Sequence, residues 1–316
     1  MHGKARAVEV KGLCKSFPYG HIARKLRPAL VELDLSVERG EVFGCLGPNG
    51  AGKTTTLKAL LGLIRPDRGT AFILGVPNTD PGWRRKAGYL PEHPYFYDYL
   101  SAAEYLDYSA ALLGLPKQRA HRQRSELLEK VGLDSVSGMP LRRFSKGMLQ
   151  RLGLAQALIG DPEIVFLDEP MSGLDPFGRR LVREIILDLK KQGTTVFFST
   201  HILSDAEALC DRVAVLHGGR LVSQGLLSEI LRVDVTHMEV LASGVELGPG
   251  LAEAISCQRV GERLRLQVPE HRLLGVLESV QAGGGRILAV QPVRQSLEEY
   301  FFRELGQVPG ETMWQD

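Results

Sequence analysis

Apolar and polar positions alternate over residues 7–13 (AVEVKGL), the two-residue period of a half-buried strand. After a basic stretch, His21 to Arg27, which reads as a solvated loop, a second strand-like run covers Ala29 to Val37. Glu41 to Leu46 (EVFGCL) is a short apolar run suited to a buried strand. Leu57, Leu60, Leu61 and Ile64 then recur at i, i+3, i+4 and i+7, which predicts an amphipathic helix. Thr70 to Leu74 reads as a strand, and Gly88 to Leu100 as a proline- and aromatic-rich segment. Ser101 with Glu104 forms a capping box, so a helix starts there and runs to about Gly114–Pro116. A second helix, from about Lys117 to Lys130, carries Arg119, Arg122 and Arg124 as a solvated face.

From Arg143 the pattern tightens. Met148, Leu152, Ala155 and Ile159 make an apolar helical stripe, predicting a helix over 148–159. Ile164 to Leu167 is a continuous apolar run ending in Asp168-Glu169-Pro170, as in a strand buried on both faces of a parallel sheet. Leu181, Ile185 and Leu189 mark another helix, which Gly193 ends, and Thr194 to Ser199 is the next buried strand. Gly218-Gly219, between Val213–Leu216 and Leu221–Ser223, predicts a tight hairpin. Strand and helix alternate throughout, so the class is α/β with a mostly parallel core sheet. Beyond about residue 230, His237 to Leu241, Arg263 to Val268 and Arg286 to Val290 read as strands with helical patterns between and after them. A boundary near 228/229 and a small C-terminal α+β domain over 229–316 follow.

The chemistry enters at residues 47–55, Gly47-Pro48-Asn49-Gly50-Ala51-Gly52-Lys53-Thr54-Thr55, a complete G-x-x-x-x-G-K-[ST] loop between the strand and the helix just described. Its glycines let successive N–H groups turn inward onto phosphate oxygens, and the helix presents its positive end to the same oxygens. The expected ligands are a nucleoside triphosphate and Mg²⁺. Lys53 reaches the β- and γ-phosphates and Thr54 gives its hydroxyl to Mg²⁺. Asp168 and Glu169 end a buried strand, where two adjacent carboxylates are costly unless each has a task. They face differently, so one can hold Mg²⁺ while the other polarises a water against the γ-phosphate.

Composition narrows the setting. The 316 residues are 44% hydrophobic and 24% charged, those of a globular protein of one large or two ordinary domains. A net charge of +2 argues against nucleic acid as the main partner. The four cysteines show no C-x-x-C pairing, which fits a reducing cytosol. The N-terminal segment lacks the apolar core of a signal peptide, and no 18-residue apolar run predicts a membrane span.

Phe144 to Arg151 (FSKGMLQR) resembles the LSGGQ-x-QR signature of the ATP-binding cassette (ABC) family. Ser145 and Gly147 match it, whereas Lys146 and Met148 depart from it. Ser172 to Pro176 (SGLDP) resembles the family's D-loop, and His201 its switch histidine. The order and spacing of these motifs agree over roughly residues 7–225, which identifies the chain as a member. Ser145 and Gly147 would also make a second anion site at a helix start.

The resemblance implies a fold and a set of partners. A cassette over 1–228 has an antiparallel β subdomain and a helical insert at about 92–160, and uses ATP and Mg²⁺. Asp168 and Thr54 are the Mg²⁺ ligands, Glu169 is the general base, and His201 bonds the γ-phosphate and attacking water. Phe17, with Tyr19 as its competitor, stacks on adenine. Ser145 to Met148 complete the site of a partner cassette, identical or paralogous, in a head-to-tail dimer that Asp175 contacts. A separate transmembrane permease docks on the cytosolic face. Glu92 (GYLPE) stands where the family usually has glutamine, near Mg²⁺ and the permease. That form resembles exporter-type cassettes. The alternative is a soluble cassette acting on nucleic acid or ribosomes. The single cassette, the absence of sustained heptads between Lys53 and Ser145 and the low net charge weigh against it.

Overall fold

The structure, a computed structural model, describes residues 5–19, 25–231, 237–244, 256–261, 263–292, 297 and 300. The first part of the basic stretch, residues 21–24, and the pattern beyond 292 lie largely outside the described residues. The described chain falls into two compact units divided between Leu227 and Ser228.

The first unit is built on a six-stranded sheet in the order β10-β9-β3-β8-β7-β6. Its strands are β3 (Val42–Leu46), β6 (Ala87–Leu90), β7 (Ile164–Asp168), β8 (Thr195–Thr200), β9 (Arg212–His217) and β10 (Arg220–Leu226). All pairings are parallel except the β9–β10 hairpin. β3, β7 and β8 are buried at every position, which is why their sequences are apolar runs and do not alternate. Phe43, Phe166 and Phe197 stack across them in the core. The Gly218-Gly219 turn has both residues at positive φ, the demand of a two-residue hairpin.

A second, antiparallel sheet runs β2-β1-β4-β5, from β1 (Arg6–Tyr19), β2 (Lys25–Glu38), β4 (Arg68–Ile73) and β5 (Val76–Pro77). β1 and β2 outrun their predicted spans because their pairing continues outward through register shifts to Tyr19 and Lys25. The strand expected at Thr70–Leu74 stops at Ile73, since Leu74 turns into the left-handed region. α1 (Lys53–Leu60) follows β3.

Between β6 and β7 lie α2 (Ala102–Leu112), α3 (Lys117–Lys130) and α4 (Lys146–Leu158). The Ser101–Glu104 capping box opens α2 as expected. α4 corrects the predicted start at 148 to Lys146, because the Ser145 hydroxyl caps it, and Ile159 lies outside it in extended conformation. Arg119 and Arg124 pair with Asp161 and Asp107, so that face of α3 is partly bound to its surroundings. α5 (Pro176–Lys191) and α6 (Leu203–Leu209) flank β8.

The second unit holds β11 (His237–Ser243), β12 (Ser256–Val260), β13 (Arg263–Pro269) and β14 (Arg286–Pro292), all paired antiparallel in the order β12-β13-β11-β14. α7 (Leu227–Ile230) precedes it, and α8 (Leu273–Ala282) buries Val276 and Val280 against Val240, Leu264 and Leu266. No helix of the described residues is long and apolar enough to cross a membrane.

Candidate functional site

The loop from Gly47 to Thr55 joins β3 to α1 at the carboxyl end of the parallel sheet, where open α/β folds place ligands. Two of its glycines are forced. A Cβ at Gly47 would lie 2.3 Å from the Leu216 carbonyl oxygen, and one at Gly52 would lie 2.7 Å from that of Ala29. Gly52 also sits at φ 106, ahead of Lys53 at the start of α1. From the opposite side the Gly219 N–H donates to the Ala51 carbonyl at 3.0 Å, and the Val31 N–H donates to the Gly219 carbonyl at 2.8 Å. One residue of the hairpin thus joins the loop to β2.

Lys53 is buried, and its Nζ donates to the carbonyls of Gly47 at 2.8 Å and Pro48 at 3.2 Å. It also stands 3.3 Å from Glu169 Oε1. Glu169 Oε2 lies 2.9 Å from His201 Nδ1, so lysine, carboxylate and imidazole form one chain. Glu169 follows the last residue of β7 at φ 47, a left-handed conformation that a non-glycine residue holds only when its surroundings enforce it.

Asp168 is 1% exposed. Its Oδ1 accepts from Thr54 Oγ1 at 3.1 Å and from Ser199 Oγ at 2.6 Å. Burial raises the Asp168 carboxyl above the ordinary range, with the charges of Glu92 and Glu169 adding to that; the two hydroxyls oppose it. Burial, assisted by the charge of Asp168, pushes the Tyr89 phenol up to about 12. The Thr54 hydroxyl and Asp168 carboxylate are hard oxygen donors. No group of three His, Cys, Asp or Glu suited to a metal occurs among the described residues. Such a sparse donor set fits Mg²⁺, which keeps water and phosphate oxygens among its ligands.

Asn49 to Thr55, Ala29, Glu92 and Glu169 line a cavity of about 200 Å³. The structure therefore brings the loop, Asp168, Glu169, His201 and Glu92 together. Phe17 and Tyr19 do not line this cavity. Phe17 lies on β1 opposite Arg27, 40% exposed, with Lys15 Nζ 5.6 Å from its ring centroid. Ser145 caps α4 by accepting from the Met148 N–H at 3.3 Å. Asp175 caps α5 by accepting from the Gly178 N–H at 2.7 Å. The two motifs pack on each other. A Cβ at Gly173 would meet Lys146 Cε at 2.9 Å, and one at Gly147 would meet the Leu174 side chain at 3.4 Å. Neither motif lines the cavity. Sequence reasoning missed Ser199 and Ala29. A serine directly after the apolar run Val196-Phe197-Phe198, on a strand buried on both faces, is the signal that points to Ser199.

The family model described as ABC transporter matches residues 30–172. An uncharacterised ABC transporter ATP-binding protein of Synechocystis sp. is 46% identical over 306 residues, covering 96% of this chain and 85% of the relative. A fluoroquinolones export ATP-binding protein of Mycobacterium tuberculosis is 40% identical over 218 residues, 68% of this chain and 69% of its own. A solved ATP-binding subunit of an ABC transporter superposes with a TM-score of 0.64 at 35% identity, covering 71% of this chain and 91% of that one.

Proposed function

The chain belongs to the ABC transporter family as an ATP-binding subunit, and we propose that it hydrolyses ATP to drive export through a permease on a separate polypeptide. The observation that carries this reading is the Lys53–Glu169–His201 chain at the end of β7, beside the phosphate-binding loop. We assign ATP binding to Gly47–Thr55, with Phe17 against the adenine. Bound Mg²⁺, held by Thr54 and Asp168 with Glu92 at its edge, supplies charge neutralisation to the phosphates. Lys53 orients the β- and γ-phosphates. Glu169 accepts the proton of the attacking water, and His201 holds Glu169 and the γ-phosphate side of the site in register.

Ser145 to Met148 and Asp175 belong, in this reading, to the site of a second cassette, identical or paralogous. That accounts for two helix-capping motifs that pack together without lining this chain's own cavity. Glu92 begins the segment with exposed Tyr95, Tyr97 and Tyr99, which we assign to the permease contact on the cytosolic face of the membrane. Residues 1–228 form the cassette and 229–316 an accessory domain.

The test is phosphate release by the chain purified with its membrane partner. Glu169→Gln should retain ATP, accumulate ATP-bound dimers and lose on the order of 10²–10⁴ of the rate, the usual share of a general base. Undiminished release in that variant would remove Glu169 from the role, and failure of the parent to cleave Mg-ATP would remove the function.

A further inference from the structure

Ser199 sits on β8 in parallel register with Asp168 on β7, so the two side chains share one face of the sheet. It is fully buried in an otherwise apolar stretch, Val196-Phe197-Phe198, where a hydroxyl is costly unless satisfied. It is satisfied twice. Its Oγ–H donates to Asp168 Oδ1 at 2.6 Å, and its lone pair accepts the Glu169 N–H at 3.0 Å. One hydroxyl therefore bridges two consecutive residues with different tasks. It does so where the chain leaves the strand and Glu169 turns to φ 47.

We propose that Ser199 is a positioning residue that locks Asp168 and Glu169 to each other and holds Glu169 in its left-handed conformation. The inference rests on the roles given to those two carboxylates above. From that left-handed position the Glu169 carboxylate meets Lys53 and His201. Of the residues bonded to Asp168, Thr54 also touches that carboxylate alone, whereas Ser199 alone reaches the Glu169 backbone as well. Loss of the hydroxyl leaves a buried N–H without a partner, and that peptide can relax toward ordinary extended geometry.

The decisive variant is Ser199→Ala, with Ser199→Thr as the conservative control. In the nucleotide-free protein the Glu169 amide should exchange its hydrogen at least about tenfold faster in Ser199→Ala, while amides in the middle of β3 keep their protection. With Mg-ATP, kcat for phosphate release should fall at least about tenfold and the Mg²⁺ concentration for half-maximal rate should rise. ATP binding measured in EDTA should stay within about twofold, because the Lys53 loop is untouched. Ser199→Thr should restore Glu169 amide protection. Unchanged Glu169 exchange in Ser199→Ala overturns the inference whatever the ATPase rate. So does a wild-type kcat with wild-type Mg²⁺ dependence. Faster exchange in a protein that never cleaves ATP would leave the clamp standing and sink the proposed function instead.

Discussion

Asp168 shows how a single residue can cost stability for the sake of its chemistry. Its folded-state pKa is raised, chiefly by burial, so between the unfolded value and the folded one the native state binds more protons than the unfolded chain. Stability therefore falls as pH rises through that window, so above its unfolded pKa this carboxyl weakens the nucleotide-free fold. Asp168→Asn keeps an oxygen to accept from Thr54 and Ser199 and removes the charge. It should raise the melting temperature of the nucleotide-free protein by a few degrees at pH 7, and little at pH 4. Differential scanning fluorimetry at the two pH values checks this. The residue-level site was largely legible, because Gly47–Thr55 and Asp168-Glu169 are defined by consecutive positions. Ser199 was not, since its task arises from a cross-strand neighbour 31 residues away. Glu169's contact with Lys53 likewise depends on the fold.

Among the elements, long and strongly periodic ones were read well and short ones poorly. α2, with its capping box, and α3, from Lys117 to Lys130, stand where the pattern put them. β6 was absorbed into a proline- and aromatic-rich segment because four residues, AGYL, carry too little periodicity to announce a strand. Yet β6 places Glu92, and it does so against the helical insert. Gly88 is buried there, and a Cβ on it would lie 1.8 Å from the Ala157 carbonyl of α4. Backbone atoms on both sides leave no flexible side chain to give way. Gly88→Ala should therefore cost about 2 kcal/mol or more, within or above the usual range for overpacking. Chemical denaturation should show a lowered midpoint with an unchanged slope. A midpoint equal to the parent's would mean that the insert can shift on the sheet without loss.

At the scale of the whole molecule, the described residues of each unit carry a hydrophobic core of their own, around Phe43, Phe166 and Phe197 in the first and around Val240, Leu266 and Val276 in the second. Separate cores predict two calorimetric transitions, of which ATP should move only that of the larger unit. At a hundredfold excess over Kd the shift corresponds to about 2.7 kcal/mol. A single transition, or both moving together, would show that the units melt as one. The sequence pattern changes after residue 230, but the strand order of the second unit could not be read from it, because pairing partners leave no mark in a single sequence. The hairpin at Gly218-Gly219 has a mechanical consequence. Its Gly219 is bonded through its N–H to Ala51 on one side and through its carbonyl to Val31 on the other. A Cβ at Gly219 would meet the Ala29 carbonyl oxygen at 2.6 Å, leaving no slack in the joint. Loop and antiparallel sheet are thereby hinged on a common pin, and any tug on one end of that linkage is delivered to the other.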